Sequence, residues 1–74
     1  MPEPRVLDAR FLPPPEPFVQ AMEALDTLGP GEQLLLLLYR EPFPLYKVLA
    51  EHGFARETRQ QPDGTFEILI TKTA

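Results

Sequence analysis

The sequence predicts an α/β (α+β) two-layer sandwich in the order β-α-β-α-β-β, a four-stranded mixed sheet with two helices on one face. Three observations predict it. Two stretches repeat apolar residues at spacings of three and four, each with proline at its start and glycine at its end. Between them lies an apolar run too short for a helix. After them, two extended segments flank Gln61-Pro62-Asp63-Gly64, where Pro-Asp-Gly sets a hairpin turn.

Residues 5–10, Arg-Val-Leu-Asp-Ala-Arg, are expected to form a brief first strand, halted by Pro13-Pro14-Pro15-Glu16-Pro17. A residue before proline is driven out of the helical region, so Pro13, Pro14 and Glu16 are expected to be extended and Pro17 to open the first helix. Its inner stripe is Phe18, Met22, Leu25 and Leu28, supported by Ala21, with Gln20, Glu23 and Thr27 between them. Gly29-Pro30-Gly31 ends it. Glu32 to Tyr39 holds five consecutive leucines and reads as a strand buried on both faces. Leucine's intrinsic preference makes a helix the alternative, but ~10 residues is the usual minimum for one. Pro44 can open the second helix, with Leu45, Val48 and Leu49 inward, and Gly53 closes it with Phe54 packing back on the last turn. Ala55 to Gln60 and Thr65 to Lys72 form the hairpin strands.

With 74 residues and 8.4 kDa, the chain has room for one domain, residues 1–74. Such a domain rarely draws more than ~3 to 5 kcal/mol from a single core, so very regular packing or a core shared between subunits is expected. The sequence holds no Cys, Ser, Asn or Trp and one histidine, His52. A Ser or Cys nucleophile, a thiolate metal site and a disulfide framework are therefore excluded. His52 stands at the end of the second helix, where it complements the helix dipole, and without further nitrogen or sulfur ligands it indicates no metal. No cofactor is expected. The formal net charge is −4, and no basic stripe is present to neutralise phosphates, which argues against nucleic acid, RNA included. Tyr39, Phe43 and Tyr46 read as core residues rather than base-stacking ones. The longest apolar run, Leu34 to Leu38, falls far short of the ~20 residues that span a bilayer, so no membrane partner is expected. Met1-Pro2-Glu3-Pro4 has neither the basic nor the apolar region of a signal peptide, and a cytoplasmic location is expected.

The segment Leu7-Asp8-Ala9-Arg10-Phe11-Leu12-Pro13-Pro14-Pro15-Glu16-Pro17, followed by the first helix and Gly29-Pro30-Gly31-Glu32, resembles the TusA/SirA sulfur-carrier family. Members carry Leu-Asp, then Gly-Leu, then Cys-Pro-x-Pro at the start of the first helix. Pro15 and Pro17 match the motif prolines, Phe11 takes the place of the motif glycine, and Pro14 takes the place of the cysteine that carries persulfide sulfur. A persulfide needs a thiolate, favoured by backbone N–H donors and the positive end of a helix, and Pro14 supplies neither sulfur nor an N–H. The chain is thus similar to a branch of the family that lacks the cysteine, which also shows the pattern of Arg40-Glu41-Pro42 and Pro44-Leu45-Tyr46. Members of that branch sometimes adjoin redox-associated domains. The resemblance implies strand order 1-2-4-3 and an accessory role without a reaction of its own.

On that topology Asp8, Arg10, Glu16, Arg40 and Tyr46 would gather at the carboxyl ends of the first two strands, where α/β folds bind ligands. Arg10 and Arg40 could hold a small polar or anionic ligand there. The plainer account has Asp8 capping loop N–H groups while the arginines pair with Glu16 and Glu41. With no second acid-base partner, enzymatic use of these carboxylates is not expected. Strand two would lie beside strand four, with Phe66, Ile68 and Ile70 on one face and Glu67, Leu69 and Thr71 on the other. Leu35, Leu37 and Leu69 are candidates for an apolar patch on the open face, covered either by the chain termini or by a second copy or protein partner. The expected function is a non-enzymatic accessory module for protein interaction or small-ligand binding. The alternative is a docking accessory in sulfur or redox transfer to a thiol-bearing partner.

Overall fold

The computed structural model describes residues 3–73, with β1 (Arg5–Asp8), α1 (Glu16–Asp26), β2 (Gln33–Leu38), α2 (Phe43–Glu51), β3 (Phe54–Gln60) and β4 (Phe66–Lys72). The sheet order is β1-β2-β4-β3, with β1 parallel to β2 and the other pairs antiparallel. This is the expected α/β sandwich: α1 packs on β2 and α2 on β3, so both helices cover the same face.

Boundaries shift where side chains compete with the backbone pattern. β1 stops at Asp8 rather than Arg10, because the Asp8 carboxylate accepts the Arg10 N–H at 3.2 Å and turns the chain there. Glu16, expected to be extended, is instead the first residue of α1: its N–H bonds the Pro13 carbonyl at 2.9 Å and starts the first turn. Pro17 sits second. In α2, Pro44 likewise sits second, behind Phe43. Gly53 adopts φ +75° just past the α2 cap residue His52, the left-handed turn that glycine tolerates best. Gly64 does the same at φ +88° in the β3–β4 turn, where Asp63 accepts both the N–H of Thr65 and, at 2.6 Å, its hydroxyl.

The larger correction concerns β2, which is not buried on both faces. Leu34, Leu36 and Leu38 point into the core beneath the helices, while Leu35 and Leu37 are half-buried on the opposite face. The pairing fixes this phase. Leu36 lies opposite Ile68 and Leu34 opposite Ile70, both isoleucines being fully buried, whereas Leu35 lies opposite Leu69. Ala21, Leu25 and Leu28 of the α1 region and Leu45 and Leu49 of α2 complete the core.

Candidate functional site

Both helices of this fold begin at the carboxyl end of a parallel strand, and both begin with the same three-residue device. Pro15-Glu16-Pro17 opens α1 and Pro42-Phe43-Pro44 opens α2, with proline at the cap and again at the second helical position. A helix N-terminus ordinarily offers four unpaired N–H groups to an anion. Here two of the four are removed by proline in each helix. Two of the rest turn inward in α2, where Phe43 donates to the Glu41 carbonyl at 3.1 Å and Leu45 to that of Pro42 at 3.0 Å. In α1 the Glu16 donor is used on Pro13, which leaves the Phe18 amide.

Between these two corners lies a cleft of about 630 Å³. Ala9, Leu36, Leu38 and Leu45 are core residues that also line it. Leu12, Pro14, Pro15, Pro17 and Phe18 line it from the α1 side, and Tyr39, Arg40, Glu41, Pro42 and Pro44 from the α2 side. The surrounding surface is unusually apolar for exposed residues. Phe11, Phe18, Val19, Tyr39 and Phe43 are all exposed, Phe11 at 76% and Phe43 at 67%, and the Phe11 and Tyr39 rings meet edge-on at 5.8 Å. Tyr39 and Phe43 therefore do not join the core as expected. Tyr39 follows the end of β2 and Phe43 is the first residue of α2, both at the open rim of the fold rather than beneath a helix.

The five residues expected to converge do so only in part. Arg10 and Arg40 line the cleft. Arg10 is already engaged, its Nε and Nη2 donating to the two Asp8 carboxylate oxygens at 2.9 and 2.8 Å. That pairing holds the exposed Asp8 carboxyl down to about 2 and pushes the Arg10 guanidinium upward. Arg40 is exposed, with no ion pair or side-chain hydrogen bond among the described residues. Glu16 is exposed at the first position of α1, away from the cleft lining, and pairs with neither arginine. Tyr46 turns to the other side of α2. Its hydroxyl meets Thr58 at 2.6 Å and Glu41 at 3.1 Å, with the Arg56 guanidinium 3.4 Å above its ring. Burial pushes its pKa up. The plainer account thus holds for Asp8, but the arginines do not pair with Glu16 and Glu41: Arg10 takes Asp8, and Glu41 accepts from Tyr46.

The apolar lining was not anticipated, although its signal stood in the sequence as the repeated Pro-x-Pro at both helix starts. Pro14, which the family resemblance sets against the sulfur carriers' cysteine, is one of its lining residues. Among the described residues no group of three or more His, Asp or Glu side chains comes together, and no helix is long and apolar enough to cross a membrane.

A family model described as an uncharacterized conserved protein (DUF2249) matches residues 6–72, nearly the whole chain. The chain belongs to the DUF2249 family. Among solved structures it is similar to a SirA-like protein from Desulfitobacterium hafniense, 25% identical, with a TM-score of 0.80 over 93% of this chain and 97% of the other. No curated protein matches. This DUF2249 chain therefore has the SirA/TusA-like fold that the Leu7 to Pro17 segment resembles.

Proposed function

We propose that this DUF2249 domain is a non-enzymatic accessory module that uses the sulfur-carrier fold to bind rather than to carry. The observation that carries this reading is the chemistry of the Pro14 corner. A carrier needs a nucleophile and donors that stabilise its anion. The corner instead holds proline, at a helix start whose free donors are nearly all removed. What remains is an apolar concavity of the size that ordinary ligand sites have, roughly 300 to 1,000 Å³. Incubation with a polysulfide donor followed by intact-mass spectrometry tests it. No sulfur adduct is expected, and a stable adduct of this Cys-free chain would overturn the reading.

A second reading concerns the open face of the sheet. Val6, 60% exposed, lies beside Leu35, which lies beside Leu69, with Leu37 adjoining. Glu57 and Arg59 flank this patch on β3 with opposite charges. A row bearing both signs is complementary to itself when a second copy runs antiparallel to it, so the favoured occupant is a second copy of the chain. Light scattering at high micromolar concentration tests it: a dimer is expected, and a strict monomer counts against it.

A further inference from the structure

The cleft's walls say which chemistry it can take. A peptide lying there would bring amide groups that lose water on entry and need new partners. Five of the lining residues are prolines, which donate nothing, and the Phe43 and Leu45 amides are already spent within their own turn, so that of the amides at the two helix starts only that of Phe18 is left to donate. Sugars and other polyols meet the same difficulty. An alkyl or aryl body does not, because it asks only for removal from water, and the core leucines at the bottom supply that. The polar groups at the mouth are not equivalent. Arg10 is held by Asp8, while Arg40 has no ion pair or side-chain hydrogen bond among the described residues, its neighbour Glu41 bonding the Tyr46 hydroxyl instead. A charge-assisted bond to an anionic head is the interaction left open there.

We propose that the cleft binds a hydrophobic monoanion, a free small molecule with an apolar body seated against Leu36 and Leu45 and a carboxylate-type head at Arg40. This rests on reading the cleft as the binding site and adds the class of its ligand. Arg40 selects the anion, and Glu41, the nearby carboxylate, opposes it.

Two fluorescent probes with the same ring system separate the parts of this claim: anilinonaphthalenesulfonate, which is anionic, and phenylnaphthylamine, which is neutral. Titration of the full chain is expected to give binding of both, the anion more tightly, with decanoate displacing the anionic probe far better than decanol does. Arg40→Gln is expected to weaken the anionic probe about tenfold while leaving the neutral one unchanged. Glu41→Gln is expected to strengthen the anion, and Arg59→Gln, on the opposite face, to change neither. Pro14→Trp, at an exposed loop position that does not enter the core, is expected to block both probes while leaving the circular dichroism spectrum intact. If Arg40→Gln leaves the ratio of the two affinities unchanged while Pro14→Trp blocks both, the ligand class is wrong and the cleft stands. If neither probe binds, or amide shifts on probe addition fall on Leu35 and Leu69 instead of Leu12 and Leu45, the cleft reading itself fails and takes the ligand class with it.

Discussion

Strand β2 offers the same side chain to two environments. On the helix side Leu34 and Leu36 are fully buried and Leu38 nearly so, while on the other side Leu35 and Leu37 stay half-covered beside Val6 and Leu69. Identical residues two positions apart thus do different work. The inner three hold the domain together, and two of them, Leu36 and Leu38, also line the cleft. The outer two add little to folding as a monomer and supply the surface a second copy would cover. The difference shows that burial here is set by register rather than by residue type, since nothing within the run distinguishes Leu35 from Leu36.

The sharpest way to break the comparison is to truncate each side in turn. Leu36→Ala is expected to cost about 2 to 5 kcal/mol, because a buried leucine loses its transfer energy and leaves a cavity between the sheet and both helices. Set against the ~3 to 5 kcal/mol that a core of this size supplies, that removes a large part of the stability or all of it. Leu35→Ala should cost about 1 kcal/mol. Urea denaturation followed by circular dichroism reads both, and equal losses would erase the distinction between the faces.

The next largest effect belongs to the outer side alone. Leu69→Asp places a charge in the middle of the open-face patch, opposite Leu35. If a second copy covers that patch, the dimer dissociation constant should rise about thirtyfold or more. Sedimentation or light scattering across a dilution series checks this. Association that survives the change would move the contact elsewhere.

A smaller effect sharpens the question of what keeps the faces in phase. Thr65, buried just before β4, donates its N–H and hydroxyl to Asp63 and thereby fixes the turn from which the β3–β4 register follows. Thr65→Val removes the hydroxyl bond and should cost about 1 kcal/mol. The same loss should reach the amide exchange of Leu69 and Ile68 alike, because a register slip would exchange their faces. Exchange that rises only in the turn would show that β2, not the turn, sets the phase.

How much of this could be read in advance follows from the same residues. Both helices and the hairpin were legible, because Pro17, Pro44, Gly53 and Pro62-Asp63-Gly64 act locally, whereas the strand order followed only from the resemblance to the sulfur-carrier family. The phase of β2 was not, since five equal leucines carry no period. It had to come from β4, where Glu67 and Thr71 break the pattern around Leu69. Topology alone brings the ends of the first two strands to one corner, and Arg10 and Arg40 both line the cleft there. Tyr46 does not, because its contact with Thr58 depends on how α2 rotates over β3. The apolar character of the cleft was present in Pro15-Glu16-Pro17 and Pro42-Phe43-Pro44, but a proline signals a helix start more readily than it signals the loss of the donors found there.

The weakest expected effect concerns one of the charges beside the outer leucines. Asp8 lies opposite Leu37 on the open side of β1 and is bonded by the Arg10 guanidinium and N–H, which together hold its carboxyl at about 2 against an ordinary value of 3.8. A depressed carboxylate favours the folded state at pH values above its unfolded pKa, and that preference is lost as pH falls through the folded one. The contribution is therefore present at neutrality and disappears between about pH 4 and pH 2. Asp8 is exposed, so solvent screens the pair and the effect is small. Asp8→Asn should lower the urea midpoint slightly at pH 6 and leave it level with the parent at pH 2, the two curves converging across that window. A gap that stays constant down to pH 2 would mean that the turn made by Asp8 with the Arg10 N–H, which asparagine keeps only in part, matters more than the charge. The outer edge of the sheet would then be held by backbone geometry, as the inner face is held by packing.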